Sequence, residues 1–242
     1  MDDAAAKRIE DVLPLRPLRR AQLPTVADQA FEILQKSILT LEMAPQTRIS
    51  EAEVANRLGV SRQPVREAFK RLAKLGFLEI RPQSGTTVSL ISEAAVLRAR
   101  YIRTALEIQT CRTACDKVSE AGLATLSALL DAQRVAVKDQ DRTRFHALDD
   151  EFHREICVQS GVGYVWELIH DNKAHMDRVR MLSLSTSSQK LALAEHVDIL
   201  NAITARAPDA AEKAIHSHLS RILTFIEELK ATNHSWFTDA ET

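Results

Sequence analysis

The stretch LGVSRQPVRE at 58–67 limits the fold of this chain more than any other segment. Gly59 can stop one helix, Ser61 stands where the next is capped, and Pro64 falls in the new helix's first turn, where a missing N–H costs little. Two helices joined by so tight a glycine-containing turn form a helix-turn-helix. Val65, Phe69 and Leu72, with Ala68 beside them, recur at helical spacing and give the second helix one apolar stripe. Ser61, Arg62, Gln63, Arg66 and, one turn on, Lys70 are left on the opposite face. Those residue types suit a nucleic-acid groove. Arginine takes guanine bidentately, and a serine at a helix N-terminus can hold a phosphate. A solvated basic face is the alternative reading.

The flanks extend the motif. Thr25, with Asp28 three residues on, predicts the start of a helix whose apolar face is Val26, Ala30, Ile33, Leu34, Ile38 and Leu41. A short helix fits Ser50 to Leu58. Two short strands, 77–81 and 86–89, fit around Gln83, Ser84 and Gly85, and the glycine at the tip allows close backbone approach to a groove or phosphate. From Ser92 onward there is no strand signal. Helices are predicted near 92–116, 118–139, 141–159, 162–181, 188–206 and 208–230, and short connections between them imply an antiparallel bundle. The expected fold is mainly α: an N-terminal winged helix-turn-helix of three helices plus a two-stranded wing, then an all-α antiparallel helical bundle. The expected divisions are a mobile arm over 1–20, the first domain over 21–90, the helical domain over 91–232 and a tail over 233–242.

Charge is distributed unevenly. The 242 residues carry a net charge of −1, yet residues 57–81 hold seven Lys or Arg against two acids. All eight histidines lie at or after His146. The two ends are thus equipped for different chemistry. Cys111, Cys115 and Cys157 make no disulfide framework and read as small buried apolar groups. No apolar run reaches the ~20 residues of a membrane span, and no signal peptide precedes the first helix, so a cytoplasmic protein without membrane contact is expected.

The helical part concentrates metal-binding side chains. Asp149 and His153, four residues apart in DDEFHR, project from one helix face. His196 (AEHVDIL) and His218 (AIHSHLS) lie on separate helices and can complete a site in the bundle core. One carboxylate and three imidazoles suit Zn²⁺, Ni²⁺ or Mn²⁺, with positions left open for water or a ligand oxygen. His146, His216 and Asp150 lie within a turn of these four. Arg103 and Glu107 are either a surface ion pair or an inward pair whose arginine grips a carboxylate; Arg178 and Arg180 are further candidates. No HExxH run, glycine-rich phosphate loop or nucleophile elbow accompanies them, so an enzyme is not expected.

Residues 23–90 resemble the winged helix-turn-helix domain of the GntR family of bacterial regulators, and the run GVSRQPVREAFKRLAKLGFL (59–78) follows the family motif nearly throughout. The resemblance implies contacts to double-stranded operator DNA from Ser61, Arg62 and Arg66, with Gly85 in the wing. Two positions depart from the family: Gln46 follows Pro45 where many members have glycine, and Ala52 stands where some relatives place an arginine on DNA. Residues 92–230 resemble the FCD effector domain of the FadR subfamily. That likeness implies a divalent metal on Asp149, His153, His196 and His218 and a small organic acid held with Arg103; a homodimer is expected because two winged domains reading a palindromic site need two-fold symmetry. A ligand-responsive transcription regulator, acting as a repressor, is the expected function. A C-terminal domain that only dimerises, or a helical metalloenzyme, are the alternatives.

Overall fold

A computed structural model describes residues 24–81 and 85–238; the arm expected over 1–20 and the expected wing residues Gln83 and Ser84 lie outside the described residues. Helix α1 (Val26–Leu39) starts at a full capping box, Thr25 and Asp28 satisfying each other's backbone N–H. Helix α2 (Glu51–Leu58) is capped by Ser50 and ends at Gly59, whose φ of 67° is the left-handed stop expected of glycine. Helix α3 is Arg62–Lys74. Val65, Ala68, Phe69 and Leu72 bury against Phe31, Leu34 and Ile38 of α1 and Val54 of α2, forming the core of the N-terminal domain.

The wing is larger than the sequence implied. Strands β2 (Leu78–Arg81) and β3 (Gly85–Val88) pair antiparallel, and a two-residue strand β1 (Arg48–Ile49) adds to the other edge of β3. Two residues are too few for a periodicity, so β1 left no sequence signal. Gly85 opens β3 opposite Arg81, with φ of 94°. Gln46, in the turn before β1, is held at φ 68° while its N–H donates to the Val88 carbonyl at 2.8 Å. The turn thus keeps a left-handed bend although glycine is absent, at the cost that a Cβ brings to that conformation.

The C-terminal domain is a bundle of α4 (Glu93–Lys117), α5 (Glu120–Lys138), α6 (Arg142–Gln159), α7 (Val165–His170), α8 (Ala174–Ser183), α9 (Thr186–Thr204), α10 (Pro208–Ser220) and α11 (Ile222–Asn233). Two expected helices are each divided. The segment 162–181 breaks at 171–173 into α7 and α8, and 208–230 breaks at Arg221 into α10 and α11. The expectation of no strand after Ser92 is also corrected. Phe237–Thr238 (β5) pairs in parallel with Ile91–Ser92 (β4), seated by Phe237 in an apolar cluster with Ile91, Val96, Met176 and Ile226. The pair is too short and too far apart in sequence to show in a local pattern. All three cysteines are buried and free, and burial raises their thiols, as suits apolar packing.

Candidate functional site

The first candidate surface is the N-terminal end of α3. Ser61 is at the N-cap position but its hydroxyl makes no capping bond, so it remains open to a phosphate. Arg62, Gln63, Arg66 and Lys70 are exposed, and neither arginine is covered by the domain's interior. Arg66 is half exposed and its Nε donates to both oxygens of Glu51 (3.0 and 3.3 Å), which steadies the guanidinium beside the first turn of α2. Gln63 donates to Glu67 at 3.2 Å.

The second site lies in the bundle core. Asp149 and His153 project from α6, His196 from α9 and His218 from α10; all four are buried. One nitrogen or oxygen of each lies within 4.8 Å of the others. His153 Nε2 is 3.2 Å from His218 Nε2, His196 Nε2 is 3.4 Å from Asp149 Oδ1, and His153 Nε2 is 3.9 Å from Asp149 Oδ2. Donors bound at about 2.1 Å to one ion stand about 3.0–3.4 Å apart in octahedral or tetrahedral geometry, so two of these spacings match and the third, at 3.9 Å, is longer.

The opposite edge of every ring is occupied. His153 Nδ1 is 2.6 Å from Glu107 Oε2, His196 Nδ1 is 2.8 Å from Gln133 Oε1, and His218 Nδ1 is 2.7 Å from Glu195 Oε2. An oxygen at Nδ1 puts the proton there and leaves Nε2 as a lone pair, the orientation that metal-ligating imidazoles need. Phe152 stacks on His196 with ring centroids 4.8 Å apart. His196 Nε2 is buried without a well-aligned hydrogen-bond donor among the described residues, and the only donor that the buried Asp149 carboxylate faces is the Arg180 guanidinium. Such groups are costly unless something else meets them. The residues present therefore fit a divalent metal.

Electrostatics keep the donors in binding form. Burial alone would raise the Asp149 carboxyl, but Arg180, in an ion pair with it, holds it well below the usual carboxylate range. Burial pushes His196 and His218 well below the ordinary histidine value, favouring neutral rings. Burial would likewise raise Glu107; Arg103, at 2.6 Å, and His153 outweigh it and keep the carboxylate charged.

Arg103 and Glu107 are thus an inward pair, only 2% exposed each. Arg103 lines a small cavity of about 30 Å³ with Met176, Arg180, His218, Arg221 and Phe225. Arg178 is not brought to this site. Its guanidinium donates to the carbonyls of Ser89 (2.8 Å) and Leu90 (3.3 Å), holding the segment between the domains. Arg180 faces the cluster instead, since two residues turn a helix by about 200°. His146 and Asp150 gather with Asp177 in a neighbouring cluster, where Lys173 already bridges the two carboxylates at 2.7 and 2.6 Å; His216 is exposed. Sequence reasoning missed Gln133, Glu195 and Arg221.

Comparison with known proteins agrees with both halves. Residues 26–88 match the family model described as bacterial regulatory proteins, gntR family, and residues 100–221 match the FCD domain. The chain is 37% identical over 215 residues to the HTH-type transcriptional repressor RspR of Escherichia coli (strain K12), covering 88% of this chain and 94% of that one. It is 29% identical over 222 residues to a probable D-xylose utilization operon transcriptional repressor of Paenarthrobacter nicotinovorans, covering 90% and 93%. Among solved structures, E. coli McbR/YncC superposes with a TM-score of 0.73 at 20% identity over 85% of this chain and 99% of that one, a likeness of fold. These matches make the chain a transcription regulator and remove the helical metalloenzyme as a reading. The chain belongs to the GntR family of helix-turn-helix transcriptional regulators, in the FadR-like group whose C-terminal half is an FCD domain.

Proposed function

We propose that this regulator is a homodimeric repressor that leaves its operator when a small carboxylate binds beside a divalent metal in the FCD domain. The observation that carries the reading is the convergence of His153, His196 and His218 on Asp149, with a side-chain oxygen 2.6–2.8 Å from every Nδ1. Zn²⁺, Ni²⁺ or Mn²⁺ bound there would supply a Lewis-acidic seat for a carboxylate oxygen. Glu107, Gln133 and Glu195 orient the rings. Arg103, which lines a small cavity together with His218, offers the acid a charged partner, and Glu107 shares that guanidinium.

On the DNA side, Arg62 and Arg66 would meet base edges, Ser61 and Lys70 phosphates, with Gln63 beside them and Gly85 in the wing. Two copies reading a palindrome require two-fold symmetry, hence the dimer. Release requires that the acid bind more tightly to a conformation unable to hold DNA. No described helix is long and apolar enough to cross a membrane, and a regulator of this kind works in the cytoplasm beside its operator.

The second reading, an FCD domain that only dimerises, is favoured by one contact, the ion pair of Arg180 with Asp149. Elemental analysis of purified protein separates the two. About one equivalent of divalent metal per chain, lost in His196→Ala, is expected; a metal-free protein that cannot be loaded would leave the dimerising reading.

A further inference from the structure

Of the long side chains that α3 offers to DNA (Arg62, Gln63, Arg66 and Lys70), Arg66 alone is held by another element among the described residues. Glu51, the first residue of α2, accepts the Arg66 Nε–H on both carboxylate oxygens, at 3.0 and 3.3 Å. Neither Nη group makes a hydrogen bond with a described residue. The guanidinium is thus gripped at its inner corner, and its outer fork of four N–H groups stays open. Arg71, on the same helix, shows the other arrangement: it bonds Asp28 of α1 through Nη1, so the fork itself is engaged.

The Glu51 pair does little for stability. Its side chains are 51% and 32% exposed, and ion pairs between such groups contribute little. What the grip changes is the freedom of the arginine. A carboxylate at the first residue of α2 suits the positive end of that helix, so α2 holds Glu51 and Glu51 holds Arg66. Guanine presents N7 and O6 side by side in the major groove, and the outer fork of an arginine meets both. A free arginine must give up its rotamer freedom to do so, whereas one already held gives up less. Towards phosphates the held arginine is the poorer partner, because Glu51 offsets its charge on every sequence.

We infer that Glu51 is a positioning residue for sequence reading: it aims the outer fork of Arg66 at a guanine and withholds that arginine from phosphates. It thereby lowers affinity for duplex in general while raising the preference for operator. The inference rests on the reading of Arg66 as a base contact.

The test uses the full chain and two duplexes: an operator selected from random sequence by the protein itself, and alternating A·T pairs, which hold no guanine. Anisotropy gives the affinity ratio between them. In Glu51→Ala the ratio should fall about fivefold or more. The A·T duplex should bind as well or better, with a salt dependence steeper by about one counterion, because Arg66 is released to the phosphates. In an Arg66→Ala background the same change should leave the ratio where it was. 7-Deazaguanine, which lacks the N7 acceptor, is then placed at each operator guanine in turn. At one of them it should weaken wild type, leave Arg66→Ala indifferent and weaken Glu51→Ala less than wild type. Glu51→Gln, which keeps the length of the side chain and one acceptor oxygen, should shift the ratio in the same direction by a smaller factor. A Glu51 needed only to start α2 would weaken both duplexes alike, with or without Arg66, and lower the thermal midpoint. That result, an unmoved ratio in Glu51→Ala, or the absence of an Arg66-dependent guanine overturns the inference and leaves the DNA-reading face standing. An operator bound as tightly by Arg62→Ala and Arg66→Ala as by wild type defeats both.

Discussion

On the proposed reading, the N-terminal end of α3 and the histidine cluster are opposite solutions to recognition. On α3 the functional groups are exposed, and the side chains of Ser61, Arg62 and Lys70 make no hydrogen bond or ion pair with other described residues. In the cluster every functional group is buried and held by a second side chain. The difference follows from the ligands. DNA brings its own charge and shape, and an exposed arginine needs only to reach it. A small ion or acid brings little binding surface, so the protein must fix the geometry beforehand. Damage should therefore separate cleanly: changes on α3 should affect DNA affinity with little loss of stability, and changes around the cluster should do the reverse.

The largest separation is expected from Arg62→Ala combined with Arg66→Ala. Operator affinity should fall by roughly 2–6 kcal/mol, while the thermal midpoint and metal content stay near wild type, as anisotropy titration, calorimetry and elemental analysis will show. Loss of fold in that double variant would break the comparison from the exposed side. Glu107→Ala strikes the buried side. It strands the Arg103 guanidinium in the core and frees the His153 ring, and denaturant unfolding should report a loss of about 3–5 kcal/mol. DNA affinity of the protein that remains folded should be little changed.

Acid provides a third separation. His175 packs its ring against Gly76 at the junction of the two domains, and its Nδ1 accepts from the Ser92 N–H at 3.1 Å. Burial, then Arg178 and Arg98, depress it from 6.5 to about 4. The unfolded chain therefore gains its proton first as pH falls, and stability is lost between pH 6.5 and 4, by on the order of 3 kcal/mol from this group. His175→Gln should flatten that part of the stability–pH curve. The smallest effect concerns the strained turn. Gln46→Gly removes the Cβ from a residue at φ 68° and should stabilise the protein by about 0.5–1 kcal/mol in denaturant unfolding, without changing metal binding.

The exposed site was far more legible in the sequence than the buried one. Caps, a stop glycine and an apolar stripe fix α2 and α3 locally, so Arg62 and Arg66 follow from spacing alone. The pair Asp149 and His153 also follows from one helix. Joining them to His196 and His218 needs the packing of three helices, which no local pattern contains; likeness to a family identified them in advance. Gln133 left a readable trace. It interrupts the buried stripe Leu126, Leu130 and Val137, where an unpartnered amide would be costly, and its oxygen proves to hold His196. Arg221 left none, since it sits at the break between α10 and α11. Choosing Arg178 over Arg180 turned on helical phase in a segment whose division at 171–173 lacked a glycine or proline to announce it.

The central claim, that acid in the buried cluster governs DNA on α3, is tested most directly by one titration. Metal-loaded protein bound to a fluorescent operator duplex, chosen from random sequence by the protein itself, is titrated in turn with a panel of small carboxylic acids while anisotropy is followed. Release of the duplex, abolished when a chelator has first removed the metal, is the expected result. Release that is indifferent to the metal, or a complex that every small acid leaves intact, would contradict it.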